Sequence, residues 1–430
     1  MSSSPGSRVT RRLIRSAREI AMTTLKPVDV HLHDVLAAVA PLGSLNLNLA
    51  DAQGCVLAED VFTTFPLPPF DSAATDGYAV RSDDVRTATP AAGTTLPVVG
   101  DISAGSTAPY TVQPGLCVRI VAGAPMPPGA DAVVPLDWTD HGLANVTIRQ
   151  PVAAGRFVRS EGSEAPSGTR LMAAGMHLGP TQIGMLAAVG RNRVVVMPKP
   201  RVVVISTGRE LVDPGQNLAR GQLPDANSAL LTAASQEAGA IAFRVGIVPD
   251  DPNVLADTLE DQLIRADIVI TSGGSGAGFP PALREVLTRV GDVQFDSVAM
   301  QPGHAQGFGT IGPDRTPFFA LSGDPVSAFV SFEVFVRPTL RRMIGVEPPT
   351  RPMVRARLHE RVVSNPGLRS YVSGWLAVEN GAYTVRPVGG STPTIAALAS
   401  GNALIVVPED VTAIEPGDAA TVMMLDKPQP

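Results

Sequence analysis

Three short runs of β-branched and aromatic residues constrain the fold of this chain more than any other feature. They are RVVVIST at 201–207, ADIVITSGG at 266–274 and TPFFALSG at 316–323, and segments with helical spacing of apolar residues separate them. Such runs, alternating with helical segments, are typical of strands in a parallel sheet that is covered on both faces. We therefore predict an α/β domain with a parallel sheet over residues 196–347.

The polar residues of this region gather where the strand runs end. Gly208 and Glu210 follow the first run, Gly273 and Gly274 close the second, and Asp324 follows the third. An open parallel sheet binds ligands beyond the carboxyl ends of its strands. Glycine loops at helix N-termini suit phosphates, because their unpaired N–H groups and the helix dipole favour anions. The sequence predicts a site for a phosphate-bearing ligand at these strand ends.

Two acidic groups in the same region precede predicted helices. Asp225 stands before the segment ALLTAASQEAG, and Asp250 and Asp251 stand before Pro252 and the segment NVLADTLEDQLI. An aspartate before the first turn caps a helix, and proline favours the first helical position. Capping explains these acids completely, so a functional role for them needs support from outside the pattern.

Two polar loops lie in the N-terminal half of the chain. In the segment 65–85, three prolines lead into a loop that contains Asp76, and an Asx-rich surface turn explains it as well as a functional loop does. In the segment 156–171, Glu164 follows a glycine turn. A solvated hairpin tip is favoured over a ligand loop for this second segment.

A helix is predicted at residues 31–42, where apolar residues recur at helical spacing. His31 and His33 form an isolated His-x-His pair at its start. We interpret this pair as surface polarity and not as a metal site.

Short alternating runs on either side of the α/β region predict β structure. Residues from about 86 to 175 form period-two stretches cut by glycine and proline, which indicates a small β-rich domain. The composition changes again after residue 349, and residues 350–427 are typical of a separate β barrel or sandwich. Residues 1–24 are interpreted as a flexible, partly helical tail.

The size and charge of the chain exclude several classes of protein. A length of 430 residues is too great for one ordinary core, so two to four domains are expected. A net charge of −6 argues against a nucleic-acid partner. The two cysteines, Cys55 and Cys117, are far apart and form neither a disulfide framework nor a zinc motif. No apolar run reaches the roughly 20 residues of a membrane helix, and we expect a cytoplasmic protein without a membrane partner.

The common catalytic motifs are absent from the sequence. It contains no Walker GxxxxGK[ST] motif, no ordered GxGxxG fingerprint and no GxSxG elbow. A nucleoside triphosphatase, a nicotinamide-dependent dehydrogenase and a serine hydrolase are therefore not supported. The chemistry that remains is a phosphate-bearing ligand, several carboxylates and a hard divalent ion held by oxygen atoms.

Five segments in fixed order carry a resemblance to a known family. With these motifs, the chain resembles the molybdopterin molybdenumtransferases, the MoeA-like proteins that include the C-terminal domain of gephyrin. The likeness extends over about residues 27–428. The segments are TDGYAV (75–80), GAPMPPGADAVVP (123–135), VISTGREL (204–211), TSGG (271–274) and SGDPVSAFVSFEVF (322–335).

The resemblance implies a fold of the α/β plus β multidomain class. Residues 25–65 and 160–195 would form an elongated N-terminal segment, and residues 66–159 an inserted β-rich domain. Residues 196–347 would be a molybdopterin-binding α/β domain with a parallel sheet, and residues 348–430 a C-terminal β barrel. It further implies a homodimer whose cleft joins the α/β domain of one subunit to the N-terminal segment of the other.

The resemblance also implies a reaction and its participants. Enzymes of the family use Mg²⁺ to cleave the pyrophosphate of adenylylated molybdopterin, release AMP and leave molybdenum from molybdate on the dithiolene. A molybdopterin adenylyltransferase would be the partner. The residues that match the family's site divide into three groups. The acids of catalysis would be Asp76, Glu164 and Glu210, and the Mg²⁺ ligands would be Glu210 with Asp250 or Asp251. The residues that bind the pterin and its phosphates would be Thr207, Gly273, Gly274, Ser275, Gly303, His304, Gly323, Asp324 and Ser327.

Several positions depart from the family's pattern. The losses include two lysines and one late acid of the glycine loop, and they leave three hypotheses open. The chain is a divergent molybdenumtransferase that retains activity, a non-catalytic paralogue that binds molybdopterin or assembles partner enzymes, or a scaffold that binds no ligand. The departing residues are Ala122 for threonine, Gly162-Ser163-Glu164 for Gly-Glu-Asp, Pro280 or Pro281 for the late acid, Gln301 and His304 for the lysines, Asp324 for asparagine, and Ala396-Ala397 for paired serines.

Overall fold

The computed structural model describes residues 25–106, 110–274, 278–390 and 392–426. These residues form two compact units. The first unit contains the described residues up to Leu45, Gly54–Val56 and the described residues from Val196 onward, and the second contains Asn46–Gln53 and Leu57–Val195. The unit boundaries fall in or beside three strands, which are Leu45–Asn48, Val56–Leu57 and Arg193–Met197.

A six-stranded sheet is the centre of the α/β part of the first unit. All three predicted runs are strands of this sheet and lie parallel to one another, as predicted, with a fourth parallel strand at one edge. The other edge carries two antiparallel strands that the prediction did not include. The strand order is Ile241–Val248, Arg201–Thr207, Ile268–Ser272, Thr316–Leu321, Ala305–Ile311 and Gly291–Ser297.

The two faces of this sheet are both covered, which explains the unbroken apolar runs. Val204 belongs to a core with Leu231 and Phe332 on one face. Val203, its neighbour, belongs to a second core with Leu255 on the opposite face. Because successive side chains of a strand point to opposite faces, every position of a doubly covered strand must be apolar.

Three helices of this unit begin at aspartate caps. Asp225, Asp251 and Asp324 each accept hydrogen bonds from backbone N–H groups of the first turn that follows them. An aspartate at this position satisfies N–H groups that have no partner within the helix. The helices are Val28–Ala37, Ala226–Glu237, Pro252–Leu263, Pro281–Val290, Pro325–Ser331 and Arg337–Met343.

A π-helical segment, Phe332–Val336, joins the last two of these helices. Pro338 follows it closely and has no N–H to donate to the carbonyl of Val334, which favours a local widening of the helix. Phe332 and Phe335 are fully buried on this stretch and pack in the core. The phenylalanines of this stretch are therefore packing residues of the core.

The C-terminal part of the first unit is a closed β barrel. The strand Arg369–Glu379 pairs with the strand Ala403–Val407, and this pairing closes the sheet into a ring. Of the two predicted alternatives, the barrel is therefore correct and the sandwich is not. The short strand Met300–Gln301 adds to its outside. The other strands of the ring are Met353–Leu358, Ala382–Pro387 and Ala419–Met424, and its remaining elements are the strands Val362–Val363 and Ala413–Ile414 and the helix Ile395–Ala399.

The prediction for the His-x-His pair is wrong for one of its members. His31 is only 3% exposed and makes an edge-on contact with the ring of Phe335, whose centroid is 4.8 Å away. It lies on the buried stripe of its helix together with Val28 and Val35. His33 is exposed, as expected. Within the described ranges, no group of three or more His, Cys, Asp or Glu residues could hold a metal ion.

The second unit is built on a five-stranded, mostly antiparallel sheet, which agrees with the predicted β-rich domain. This unit also contains the helix Pro180–Ala188. Among the described helices of both units, none has the length and apolar character needed to cross a bilayer. The sheet order is Ala132–Pro135, Gly77–Val80, Cys117–Ile120, Thr94–Ile102 and Asn145–Ile148. The smaller elements are the paired strands Ser72–Ala73 with Val158–Arg159 and Val61–Phe62 with Arg170–Met172, and the short helices Leu49–Ala52, Ser82–Val85 and Leu136–Trp138.

Candidate active site

Three neighbouring cavities lie beyond the carboxyl ends of the parallel strands. The largest has a volume of about 500 Å³, and the other two measure about 110 and 80 Å³. Residues 206–210, 272–274 and 322–325 line one or more of them, and each of these segments ends or follows a strand of the sheet. This is the edge at which open parallel sheets bind their ligands.

The largest cavity brings together carboxylates from two adjacent strands. Glu210 follows the strand Arg201–Thr207, and Asp250 follows the strand Ile241–Val248; both line the cavity. The Glu210 carboxylate lies over Gly208, since a Cβ atom built on that glycine would be 2.8 Å from each carboxylate oxygen. The parallel pairing of the two strands therefore places two predicted acids at one site.

The structure separates the roles of Asp250 and Asp251. Asp251 Oδ1 accepts hydrogen bonds from the N–H groups of Asn253 at 2.9 Å and Val254 at 3.2 Å, so it is the helix cap. Asp250 does not cap; it lines the cavity, and its buried Oδ1 has no hydrogen-bond partner in the described part of the chain. Asp250 is thus the member of the pair that faces the cavity.

Asp225 and Asn227 line the second cavity, and the sequence interpretation missed them as site residues. Asp225 is 1% exposed and accepts hydrogen bonds from Ser206 Oγ at 2.9 Å and from Ser228 N at 3.0 Å. Asn227 Nδ2 donates to Ser272 Oγ at 2.7 Å and to Gly323 O at 2.9 Å. Asp225 alone is enough to cap the helix, so capping does not explain Asn227. This polar residue was the feature of the sequence that could have indicated the second cavity.

Four residues that line these two cavities each carry a buried polar atom that lacks a hydrogen-bond partner among the residues that the structure describes. The atoms are Thr207 Oγ1, Asp225 Oδ2, Asn227 Oδ1 and Asp250 Oδ1. Asp225 Oδ2 has only an ion-pair contact with Arg244, at 3.6 Å. Buried polar groups are nearly always hydrogen-bonded, so several orphans at one place indicate a polar ligand.

Two of the predicted ligand-binding glycines are required by close backbone contacts. A Cβ atom on Gly273 would lie 2.1 Å from Thr207 Oγ1 and 2.5 Å from Thr207 O. A Cβ atom on Gly323 would lie 2.4 Å from Gly274 O. No side chain fits at these distances. The glycines therefore let three strand ends converge, whether or not their backbone also touches a ligand.

The third cavity is lined by the remaining residues predicted to bind the ligand. Gly303, His304, Asp324 and Ser327 all contribute to it. Asp324 Oδ2 accepts from Ser327 N at 2.8 Å and from Ser327 Oγ at 2.7 Å, so these two side chains hold each other as a helix cap. His304 is exposed. The predicted Ser275 lies outside the described residues.

Asp76 and Glu164 belong to the second unit. Asp76 is exposed, and its Oδ1 accepts a hydrogen bond from the N–H of Ala122 at 2.7 Å. Glu164 is exposed as well, and in the described ranges its side chain has no hydrogen bond or ion pair. Neither residue lines the three cavities.

The donor set of the largest cavity fits a magnesium ion that is also held by a ligand. Glu210 and Asp250 supply two carboxylates, and Thr207 Oγ1 is an additional free oxygen. Mg²⁺ keeps several waters and is commonly bound by one or two carboxylates together with substrate phosphates. A set of two carboxylates is therefore sufficient for Mg²⁺ when a phosphate is present.

Three family models match consecutive parts of the chain. The MoeA N-terminal region (domain I and II) matches residues 26–190, and the MoeA C-terminal region (domain IV) matches residues 355–425. Between them, the model described as a probable molybdopterin binding domain matches residues 203–342, which contain the three cavities' strand ends.

Curated relatives and solved structures agree with these matches. Molybdopterin molybdenumtransferase 1 of Mycobacterium tuberculosis is 42% identical over 90% of this chain and 96% of its own length. Molybdopterin molybdenumtransferase 2 of the same organism is 39% identical over 91% and 98%. The crystal structure of the MoeA protein from Pyrococcus horikoshii has a TM-score of 0.77 and 30% identity, and covers 94% of this chain and 100% of that one. The chain therefore belongs to the molybdopterin molybdenumtransferase family, a family of transferases of molybdenum cofactor biosynthesis.

Proposed function

We propose that the protein inserts molybdenum from molybdate into adenylylated molybdopterin in a Mg²⁺-dependent reaction that releases AMP. The observation that carries the proposal is the group of four unsatisfied polar atoms, on residues that line the two cavities shared by Thr207 and Glu210 at the strand ends. A metal ion bound with the pyrophosphate would supply the positive charge that the carboxylate oxygens lack, and the Thr207 hydroxyl can donate a hydrogen bond to a phosphate oxygen. The names of the M. tuberculosis relatives support molybdopterin as the substrate.

The residues of the cavities have separate roles in this proposal. Cleavage of the pyrophosphate develops negative charge on the bridging oxygen, and a bound Mg²⁺ would neutralise it. Glu210 and Asp250 would hold that ion, and the polar atoms of Thr207 and Asn227 would bind the substrate. His304 lines the adjacent cavity and would bind a further anionic group of the substrate.

The backbone of the glycine turns and the remaining acids complete the assignment. We assign the backbones of Gly273, Gly274, Gly303 and Gly323, together with Asp324 and Ser327, to the pterin and its phosphates. Asp76 and Glu164 are assigned to the same reaction through the family resemblance, in a homodimer. Since the substrate carries an adenylyl group on molybdopterin, a molybdopterin adenylyltransferase is the partner that would supply it.

Release of AMP by the purified full-length protein tests the proposal. We expect AMP from adenylylated molybdopterin only when both Mg²⁺ and molybdate are present. The Glu210→Gln variant keeps the shape of the side chain but removes its charge, and it should lower the rate on the order of 10²–10³-fold. If the wild-type protein binds the substrate but releases no AMP above the blank, the non-catalytic hypothesis replaces this one.

A further inference from the structure

Arg209 is the one Lys or Arg residue, among those that the structure describes, that lines any of the three cavities. It borders the largest cavity together with Glu210, Asp250 and Gly274. The two smaller cavities have no Lys or Arg in their described walls, and their cationic candidate is His304. Among the described residues that line the largest cavity, Arg209 is therefore the one that can offer a guanidinium to an anion.

The Arg209 guanidinium is not used by the protein itself. In the described part of the chain it forms no ion pair and no side-chain hydrogen bond, although two carboxylates border the same cavity. Other arginines of the same sheet are paired: Arg201 contacts Asp267 at 2.8 Å and Arg244 contacts Asp213 at 2.6 Å. Arg209 is therefore available to a ligand.

The charges around the cavity require a cation at this position. Glu210 and Asp250 bring two negative charges, which repel an anionic substrate. Gln301, at a position where the resemblance implies a lysine, offers no charge, and its Oε1 accepts a hydrogen bond from Asn365 Nδ2 at 2.6 Å. Arg209 is the residue of the described cavity wall that can provide a positive charge to such a substrate.

We propose that Arg209 binds the phosphate oxygens of the substrate's pyrophosphate at the largest cavity. A guanidinium has the planar, forked geometry that pairs with two phosphate oxygens at once. The identity of the substrate rests on the proposed function, whereas the anion site does not. Arg209 and Glu210 are consecutive, so one turn holds both the residue that binds the anion and a residue that would bind Mg²⁺. We therefore expect the anion and Mg²⁺ to bind cooperatively.

Titration calorimetry with inorganic pyrophosphate and Mg²⁺ tests this site on the full-length protein. We expect Arg209→Gln to weaken pyrophosphate binding about 10- to 100-fold, since hydrogen bonds to charged groups contribute roughly 1.5–3 kcal/mol. Arg209→Lys keeps the positive charge but lacks the forked guanidinium, so its affinity for pyrophosphate should lie between those of the wild type and Arg209→Gln. Arg220→Gln is the matched control, because Arg220 is an exposed arginine of the loop that follows Glu210 and lines none of the cavities.

The outcomes separate this site from the proposed function. Equal affinity of wild type and Arg209→Gln, equal losses in Arg209→Gln and Arg220→Gln, or no binding to the wild type would each overturn the site. If pyrophosphate binding depends on Arg209 but the protein never releases AMP, the proposed anion site is supported and the proposed function is contradicted. If AMP release is unchanged in Arg209→Gln, the proposed function is supported and the proposed anion site is contradicted. Circular dichroism of each variant checks that it is folded.

Discussion

Gly273 shows how single residues shape the site. Its backbone passes so close to Thr207 that a Cβ atom would lie 2.1 Å from Thr207 Oγ1. We expect Gly273→Ala to lower the free energy of unfolding by about 1–3 kcal/mol, the usual cost of overpacking, and to abolish substrate binding. Gly43→Ala is the control, because nothing lies within 4 Å of a Cβ atom at Gly43. Equal stability of the two variants in denaturant titration would contradict this account.

His31 makes stability depend on pH. Burial, aided by the charge of Lys26 and opposed by Asp296 and Asp34, lowers the pKa of His31 from 6.5 to about 4. Between those values the unfolded chain binds a proton that the folded chain does not. The free energy of unfolding should therefore fall as the pH decreases through this window, by up to about 1.4 kcal/mol per pH unit.

Variants at the two neighbouring histidines isolate this effect. His31→Asn should flatten the decrease of the unfolding free energy between pH 6.5 and 4, measured by denaturant titration at several pH values. His33→Asn should keep the wild-type slope, because His33 is exposed on the same helix. The same slope in both variants would show that other groups cause the pH dependence.

At the scale of elements, the turn before the helix Pro252–Leu263 contains two consecutive aspartates with different roles, one in stability and one in the proposed reaction. Asp251 caps the helix, whereas Asp250 lines the cavity. We expect Asp251→Ala to lower the free energy of unfolding by about 1 kcal/mol and to leave AMP release intact. Asp250→Ala should have the opposite pattern, with release reduced on the order of 10²-fold or more and stability unchanged or increased.

The paired measurement is decisive because each variant is the control for the other. The two substitutions are chemically identical and adjacent, so non-specific effects of removing an aspartate are shared. If Asp251→Ala lost AMP release but kept the wild-type free energy of unfolding, Asp251 and not Asp250 would be the residue of the reaction.

At the scale of the whole molecule, a buried ionic network joins the α/β part of the first unit to its barrel. Arg351 binds Glu333 through Nε at 2.7 Å and through a second nitrogen at 3.0 Å, contacts Glu237 at 3.0 Å, and donates to the carbonyl of Leu425 at 2.6 Å. Glu333 is 1% exposed. Removing Arg351 leaves the buried Glu333 carboxylate with the longer contact to Arg337 Nε, at 3.8 Å.

We therefore expect Arg351→Met to lower the free energy of unfolding by at most about 3–5 kcal/mol, and Arg351→Met with Glu333→Leu to recover part of that loss, since Arg337 then keeps its contact with Glu237 at 3.5 Å. Fluorescence of Trp375 in the barrel, in a Trp138→Phe background, reports the transition in guanidinium. Arg361→Met is the control, since its pair with Glu415 is exposed and should contribute no more than about 1 kcal/mol. A double variant as unstable as the single one would refute the unpaired-charge explanation.

Local pattern in the sequence determined most of the elements of this protein. The runs at 201–207, 266–274 and 316–323 became parallel strands because a strand covered on both faces has to be apolar at each position. Asp251 and Asp324 became helix caps because an aspartate satisfies first-turn N–H groups within a few residues of itself. Such interactions are short in sequence, so the sequence alone reveals them.

Only the tertiary structure decided which segments meet. The closing of the barrel, the burial of His31, the choice of Asp250 over Asp251 and the position of Asn227 between Ser272 and Gly323 all depend on contacts between residues distant in the chain. Whether an aspartate oxygen is satisfied by a helix or left open to a cavity is set by neighbours on other strands. The elements follow from local spacing, and the site follows from their convergence.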